Sequence, residues 1–203
     1  MKCFTKASGF FLIFLIAAAS GMAQDQPREA ERSYEAVLYV LASDDRAGKG
    51  TDLPSGLNAV SRQIRSEFGA DRLRVINTYF GRLSGAGTIE YKGVSNAYAP
   101  EAMPGSPSFL DWRLSGLRDL ENAAGQPVYQ FQAFRFGARV PVRIGVVSDE
   151  RAAPINYEPI GLTVERVGVR DNDPTLIGTL IQPRTDGTLF LVLTVRKAEN
   201  ERR

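Results

Sequence analysis

Carboxylates are the side chains in this sequence best supplied for bond-making or metal chemistry. They cluster at Asp44-Asp45, at Asp149-Glu150 and in the run Asp171-Asn172-Asp173-Pro174. Oxygen ligands on alternate residues, as in Asp171 and Asp173, suit a hard cation such as calcium. A calcium loop of the EF-hand type then requires glycine at its sixth position and glutamate at its twelfth. Those places hold Leu176 and Gln182, so the run reads as an Asx-type turn. The other two clusters read as solvated loop residues. Glycoside hydrolysis needs two carboxyl groups facing each other at a set separation, and the sequence singles out no such pair.

The absences are more selective. There is no histidine, which excludes Ser-His-Asp and Cys-His nucleophiles, imidazole bases and histidine-ligated zinc or iron. The single cysteine, Cys3, lies within a segment expected to be removed, so thiolate catalysis and cysteine metal sites are excluded as well. Beyond that segment the lysines are Lys49, Lys92 and Lys197, and none completes a Ser-x-x-Lys pattern. Gly85-Ala86-Gly87 has Glu90 where a dinucleotide loop needs its third glycine, and reads as a turn. Asp186-Gly187-Thr188 is likewise a turn. No cofactor, no metal and no catalytic residue is expected.

One segment does carry a pattern with binding potential. In Val128–Ile144 (VYQFQAFRFGARVPVRI), the even positions hold Phe134, Phe136, Val140, Val142 and Ile144. The odd positions hold Arg135, Arg139 and Arg143, with Tyr129 and Phe131 further back. An extended strand would present one apolar face and one arginine stripe ending in aromatics. Such a stripe can pair with the carboxylates of a partner, or lie solvated as an ordinary charged sheet face. Pro141 lacks an N–H and so marks a sheet edge or a bulge, and an edge can accept a strand from another chain.

The elements that position these residues follow from punctuation and periodicity. Lys2 and Lys6, the apolar run Phe10–Ala19 and the small residues Gly21 and Ala23 make residues 1–23 a cleavable secretory signal, with an uncleaved membrane anchor as the alternative. The apolar run is about half of the roughly 20 residues that span a bilayer as a helix. The whole chain of 203 residues has 25 basic and 23 acidic side chains; removing Lys2 and Lys6 leaves 23 of each. A neutral exported protein gains no net attraction for nucleic acid. Residues 24–33 read as a disordered leader.

Tyr34–Ala42 and Leu189–Val195 are apolar on both parities and predict strands covered on two faces. Leu53, Leu57, Val60, Ile64 and Phe68 form one helical stripe over 53–68, with Asp52 as cap, Pro54 in the first turn and Gly69 as stop. Alternation from Arg72 onward, with Leu73, Val75, Tyr79 and Leu83 on one parity, predicts a hairpin with Thr88–Ala99 across the Ser84–Gly87 turn. Further strands are expected near 109–120, 128–144, 160–169, 176–182 and 188–197, with turns at Asn122–Gln126 and Arg184–Gly187. The predicted architecture is α+β: a β-α-β-β amino-terminal lobe (34–99), a Pro/Gly loop (100–107), and a mainly antiparallel β-sheet or sandwich (108–198) in the same domain or a second one.

The helix after the first strand, Phe134–Val142 (FRFGARVPV) and Ile155–Val164 (INYEPIGLTV) resemble parts of secretin-like proteins. Tyr157 shortly before the Gly161-Leu162 step is the shared feature of the last segment. Secretins are ring-forming outer-membrane channels of type II and III secretion and type IV pili. The resemblance implies a periplasmic module that packs side by side with protein partners. The chain is too short for a complete gate and barrel, so channel activity does not carry over. The expected function is that of an exported, periplasmic or secreted, non-catalytic interaction or assembly protein of the bacterial envelope. It would bind a protein partner or copies of itself and not nucleic acid, and no transmembrane segment is expected after signal cleavage. The alternative is a carboxylate-based hydrolase acting on an envelope polymer.

Overall fold

The structure, a computed structural model, describes residues 32–43, 53–85, 87–98, 105–144, 154–182 and 187–198. The signal segment, Asp52, the Asp44-Asp45 and Asp149-Glu150 pairs and most of the 100–107 loop lie outside the described residues. Nine strands are described: β1 (Ser33–Ser43), β2 (Leu73–Ser84), β3 (Thr88–Ser95), β4 (Ser108–Ser115), β5 (Arg118–Glu121), β6 (Pro127–Arg143), β7 (Ile155–Arg170), β8 (Thr175–Ile181) and β9 (Thr188–Lys197). A 3-10 turn at Ser55–Leu57 leads into the helix α1 (Asn58–Phe68).

The strands form two antiparallel sheets. The first has the order β2-β1-β9-β8. In the second, β7 runs along one edge of β6, β4 and β5 share the other edge in succession, and β3 pairs with β4. Side chains from both sheets meet in one core: Ala36, Leu38, Val40, Leu191 and Leu193 from the first, Leu110, Trp112, Phe134, Phe136 and Val140 from the second. The molecule is therefore a β-sandwich with a helix on one outer face.

The expected β-α-β-β lobe is not present. β1 pairs with β2 on one side and with β9, the last strand, on the other. The reason lies in the two-faced apolarity of β1 and β9. A strand apolar on both parities must be central and covered twice, and the two such strands satisfy each other as neighbours. Their inward residues join the sandwich core, while Leu41, Phe190 and Val192 face the helix. The expectation that both strands are covered on two faces is met.

The expected helix is present with its apolar stripe, but it begins later than the expected 53, in a 3-10 turn at Ser55–Leu57 that becomes α-helix from Asn58. Leu57, Val60 and Ile64 are buried against Leu41, Leu73, Phe190 and Val192, and Phe68 meets Phe190 edge to face at 5.4 Å. Gly69, at φ 64°, ends it, and its N–H donates to the Arg65 carbonyl. No side chain caps the N-terminus among the described residues.

β2 and β3 are not a paired hairpin. The turn after Ser84 carries the chain from the first sheet to the second, and Asp171–Pro174 carries it back between β7 and β8. At each of these seams a glycine receives a side chain from across the gap: Gly81 faces Ile89, and Gly178 faces Leu162. A Cβ on Gly81 would lie 2.9 Å from Ile89 Cδ1. The close approach packs the seams without ladder hydrogen bonds.

Glu35 joins three strands on the outer face of the first sheet. Its side chain is 8% exposed, and its two oxygens take Arg82 of β2 and Arg196 of β9, each at 2.6 Å. The hydrogen bonds from Arg82 and then Arg196 hold its carboxyl below the ordinary glutamate value of 4.5. A depressed folded-state pKa stabilises the fold above the unfolded value, and that contribution is lost as pH falls through the folded value. The conformational stability of the parent is therefore expected to fall as pH drops below 4.5. Glu35→Gln should lower stability at pH 7 and flatten this acid limb. Urea midpoints at pH 7 and pH 3 check it; equal pH slopes in the two proteins would remove Glu35 from the acid response.

The sandwich contains a break that decides which residues of β6 face outward. Buried positions on β6 step from Tyr129 and Phe131 to Phe134 and Phe136; on β7 they step from Val169 and Val167 to the partly buried Val164 and Leu162. Phe131 pairs with Val167 and Ala133 with Glu165, and between them Gln132 and Arg166 stand opposite each other unpaired, with the register continuous across the gap. The third strand breaks at the same level, where Gly116 at φ 70° separates β4 from β5 and its carbonyl accepts the Gln132 N–H at 3.2 Å. Arg166 has φ 57°, a conformation that costs a residue bearing a Cβ about 1–2 kcal/mol.

Candidate functional site

β6 is a central strand as far as Arg139; beyond it, where β4 has ended, β7 alone pairs with it among the described residues. Pro141 lies in that overhang, opposite Tyr157 of β7. Its missing N–H is tolerated because only one neighbour is there to pair. Phe134, Phe136, Ala138, Val140 and Val142 point into the core, so Arg135, Arg139 and Arg143 share the outer face of the second sheet, and all three are exposed.

Tyr129 and Phe131 do not join them. Both lie on the other side of the break and are buried, at 1% and 0% exposure. Tyr129 donates to Asp171 Oδ1 at 2.7 Å and packs edge-on against Tyr34 at 5.2 Å. Tyr34 in turn donates to Asp119 Oδ2 at 2.9 Å. Burial, reinforced by these carboxylates, pushes both phenols above their ordinary range. Asp171, one of the carboxylates that drew attention as chemistry, thus anchors a tyrosine at one end of the sandwich, as Asp119 does. Among the described residues no group of three or more acidic or thiol side chains could hold a metal.

The aromatic contribution to the arginine face comes instead from the neighbouring strands. Phe109 of β4 sits opposite Arg139, and its ring lies 5.3 Å from that of Tyr157 on β7. Phe109 is half-exposed, as are Val94 on β3 and Ile155 opposite Arg143. β4 also adds a fourth arginine: Arg113 is directly opposite Arg135. Like charges in that position repel. Glu90 of β3 lies opposite Arg113, yet its carboxylate pairs with Lys92 at 2.8 Å, which holds its pKa down. Arg135, Arg139 and Arg143 make no ion pair among the described residues.

Arg113 and Phe109 escaped the reading of single segments. The alternation of FLDWRLS, with Phe109, Asp111 and Arg113 on one parity and Leu110, Trp112 and Leu114 on the other, placed them on an outer face. It did not reveal that this face adjoins β6.

No protein-family model and no curated protein matches the chain. Among solved structures, it is similar to the Salmonella SPI-1 type III secretion injectisome secretin InvG, with a TM-score of 0.34, 10% identity, and coverage of 84% of this chain and 66% of that chain. A chain of the atomic model of the Salmonella SPI-1 type III secretion injectisome basal body proteins InvG, PrgH and PrgK gives the same TM-score and identity over 47% of its length. The InvG secretin domain β-barrel gives a TM-score of 0.29 over 64% of its length. The chain spans about two thirds or less of these neighbours. The likeness to secretins is weak at this level and does not establish family membership. No helix among the described residues is long and apolar enough to cross a membrane.

Proposed function

We propose that this chain is an exported, non-catalytic interaction or assembly protein of the bacterial envelope that pairs with an acidic protein surface through the outer face of its second sheet. One observation carries this reading. Arg113 and Arg135 stand directly opposite each other, in line with Arg139 and Arg143, and the three arginines of β6 have no ion pair among the described residues to offset their charge. A carboxylate-bearing partner supplies that offset, because each guanidinium fork can take a carboxylate bidentately. The half-exposed Phe109 and the neighbouring Tyr157 supply an apolar anchor within the same face. The two segments that resemble secretins, Phe134–Val142 and Ile155–Val164, are paired strands of this sheet. The finer reading, association with a secretin assembly, therefore concerns the same face.

Arg135→Glu combined with Arg139→Glu is expected to weaken retention on a polyglutamate matrix, and capture of envelope proteins by crosslinking, at least about tenfold. Both side chains are exposed, so the circular dichroism spectrum and Tm should stay those of the parent. Unchanged retention and capture by the double variant would discard the arginine face as the contact surface.

A further inference from the structure

The break that crosses β4/β5, β6 and β7 opens a hollow of ≈ 580 Å³ lined by Gly116, Leu117, Arg118, Gln130, Gln132 and Arg166. Arg118 pairs in register with Gln130 on the outward parity, since Tyr129 and Phe131 point inward. Two guanidinium groups and two carboxamides thus border one concavity, while Leu117 and Phe131 are buried beneath it. Neither Arg118 nor Arg166 has an ion pair among the described residues, and the side chains of Gln130 and Gln132 have no hydrogen bond there.

A gap in the ladder does not in itself need this composition. Where the backbone turns left-handed, glycine or asparagine relieves the strain at once, yet the chain carries an arginine at Arg166 with φ 57°. Two uncompensated cations beside one cavity repel in the empty state and attract an anion together. Local strain and unneutralised charge coincide on the same side chain, a combination that serves a ligand better than it serves the fold.

We propose that this hollow is an oxyanion-binding site, which takes the carboxylate or phosphate group of a small ligand between Arg118 and Arg166, with the amides of Gln130 and Gln132 as further donors. The planar forks of the two arginines suit either group bidentately. The site is separate from the row formed by Arg135, Arg139 and Arg143, and its ligand need not be a protein, so it holds or fails independently of the partner-binding reading.

The test is titration of the full exported chain with succinate and, separately, with inorganic phosphate, following the backbone amides of Gly116 and Gln132 by NMR. Saturable shifts of these amides are expected with at least one probe. A response to succinate alone identifies a carboxylate site, and one to phosphate alone a phosphate site. Arg118→Gln and Arg166→Gly should each weaken that binding by at least about tenfold, the loss expected for a charge-assisted contact. Arg166→Gly is expected to leave Tm no lower than the parent's, because glycine adopts this backbone without steric cost; loss of binding in a fully stable protein then cannot be ascribed to unfolding. Absence of saturable shifts with both probes would overturn the site. So would binding that persists unchanged in both variants.

Discussion

Trp112→Ala is expected to lower the free energy of unfolding by about 3–5 kcal/mol, the range for deleting a large aromatic from a packed interior. Typical domains have about 5–15 kcal/mol in all, so the loss removes a large part of the total. Trp112 is 1% exposed and belongs to the core that both sheets share. It is flanked in its own sheet by Tyr91 and Phe136 and contacts Tyr79 of the opposite sheet at 6.3 Å between ring centroids. Tyr79 also packs on Tyr91 at 5.0 Å, across the seam where β2 and β3 part without a ladder. This aromatic group therefore does what backbone hydrogen bonds do elsewhere in the sheets. The Trp112 indole N–H has no hydrogen-bond partner among the described residues. Trp112→Phe removes that unpaired donor along with part of the ring, and should cost only about 1–2 kcal/mol because the two effects oppose each other. Urea denaturation of both variants measures this. A cost below about 1 kcal/mol for the alanine variant, well under the expected range, would mean that Trp112 does not couple the sheets.

Gly116→Val is expected to cost about 2–5 kcal/mol, from a left-handed backbone conformation and a steric collision acting together. Gly116 has φ 70°, and a Cβ placed on it would lie 2.6 Å from Gln132 Cβ and 3.0 Å from Gln132 Oε1. Gln132 cannot retreat freely because its N–H is bonded to the Gly116 carbonyl. Gly125 is the natural control: its φ is 73°, but nothing lies within 4 Å of a Cβ there. Gly125→Val should therefore carry only the conformational part, about 1–2 kcal/mol. The difference between the two variants reports the contact at the break. Equal costs at the two positions would show that β4/β5 and β6 are not held in close contact at this level.

Much of the local structure was legible in the residues. The stripe Leu57, Val60 and Ile64 and the stop at Gly69 locate the helix, because a helical period and a left-handed cap are properties of a few neighbouring residues. The two-faced apolarity of β1 and β9 marks them as strands covered on both sides for the same reason. The exposed arginines of β6 follow from simple alternation with Phe134, Phe136 and Val140. Even the break leaves a trace: the inward positions of β6 step by three residues from Phe131 to Phe134, where alternation demands two.

Face assignment failed wherever a strand changed phase. Leu73, Val75, Tyr79 and Leu83 share one parity, yet Leu73 and Val75 pack toward the helix while Tyr79 and Leu83 enter the sandwich core. The irregularity opposite Val40 and Leu41, which skips Ile76, reverses the faces between them. One extra residue in a ladder turns every later side chain to the other face, and whether it is accommodated depends on the partner strand. Tyr129 and Phe131 are separated from Arg135 without a register shift: Gln132 and Arg166 stand unpaired opposite each other, and both strands change face at that level.

The sequence by itself determined roughly where strands and helix lie, which strands need cover on both sides, and that no imidazole is available. Only the tertiary structure decided that the first strand pairs with the last, that Arg113 stands against Arg135, and that Arg118 and Arg166 border one hollow. The physical reason is range. Periodicity and capping are settled by neighbours a few residues apart, whereas strand order and register are settled by contacts between segments that meet only when the whole core closes.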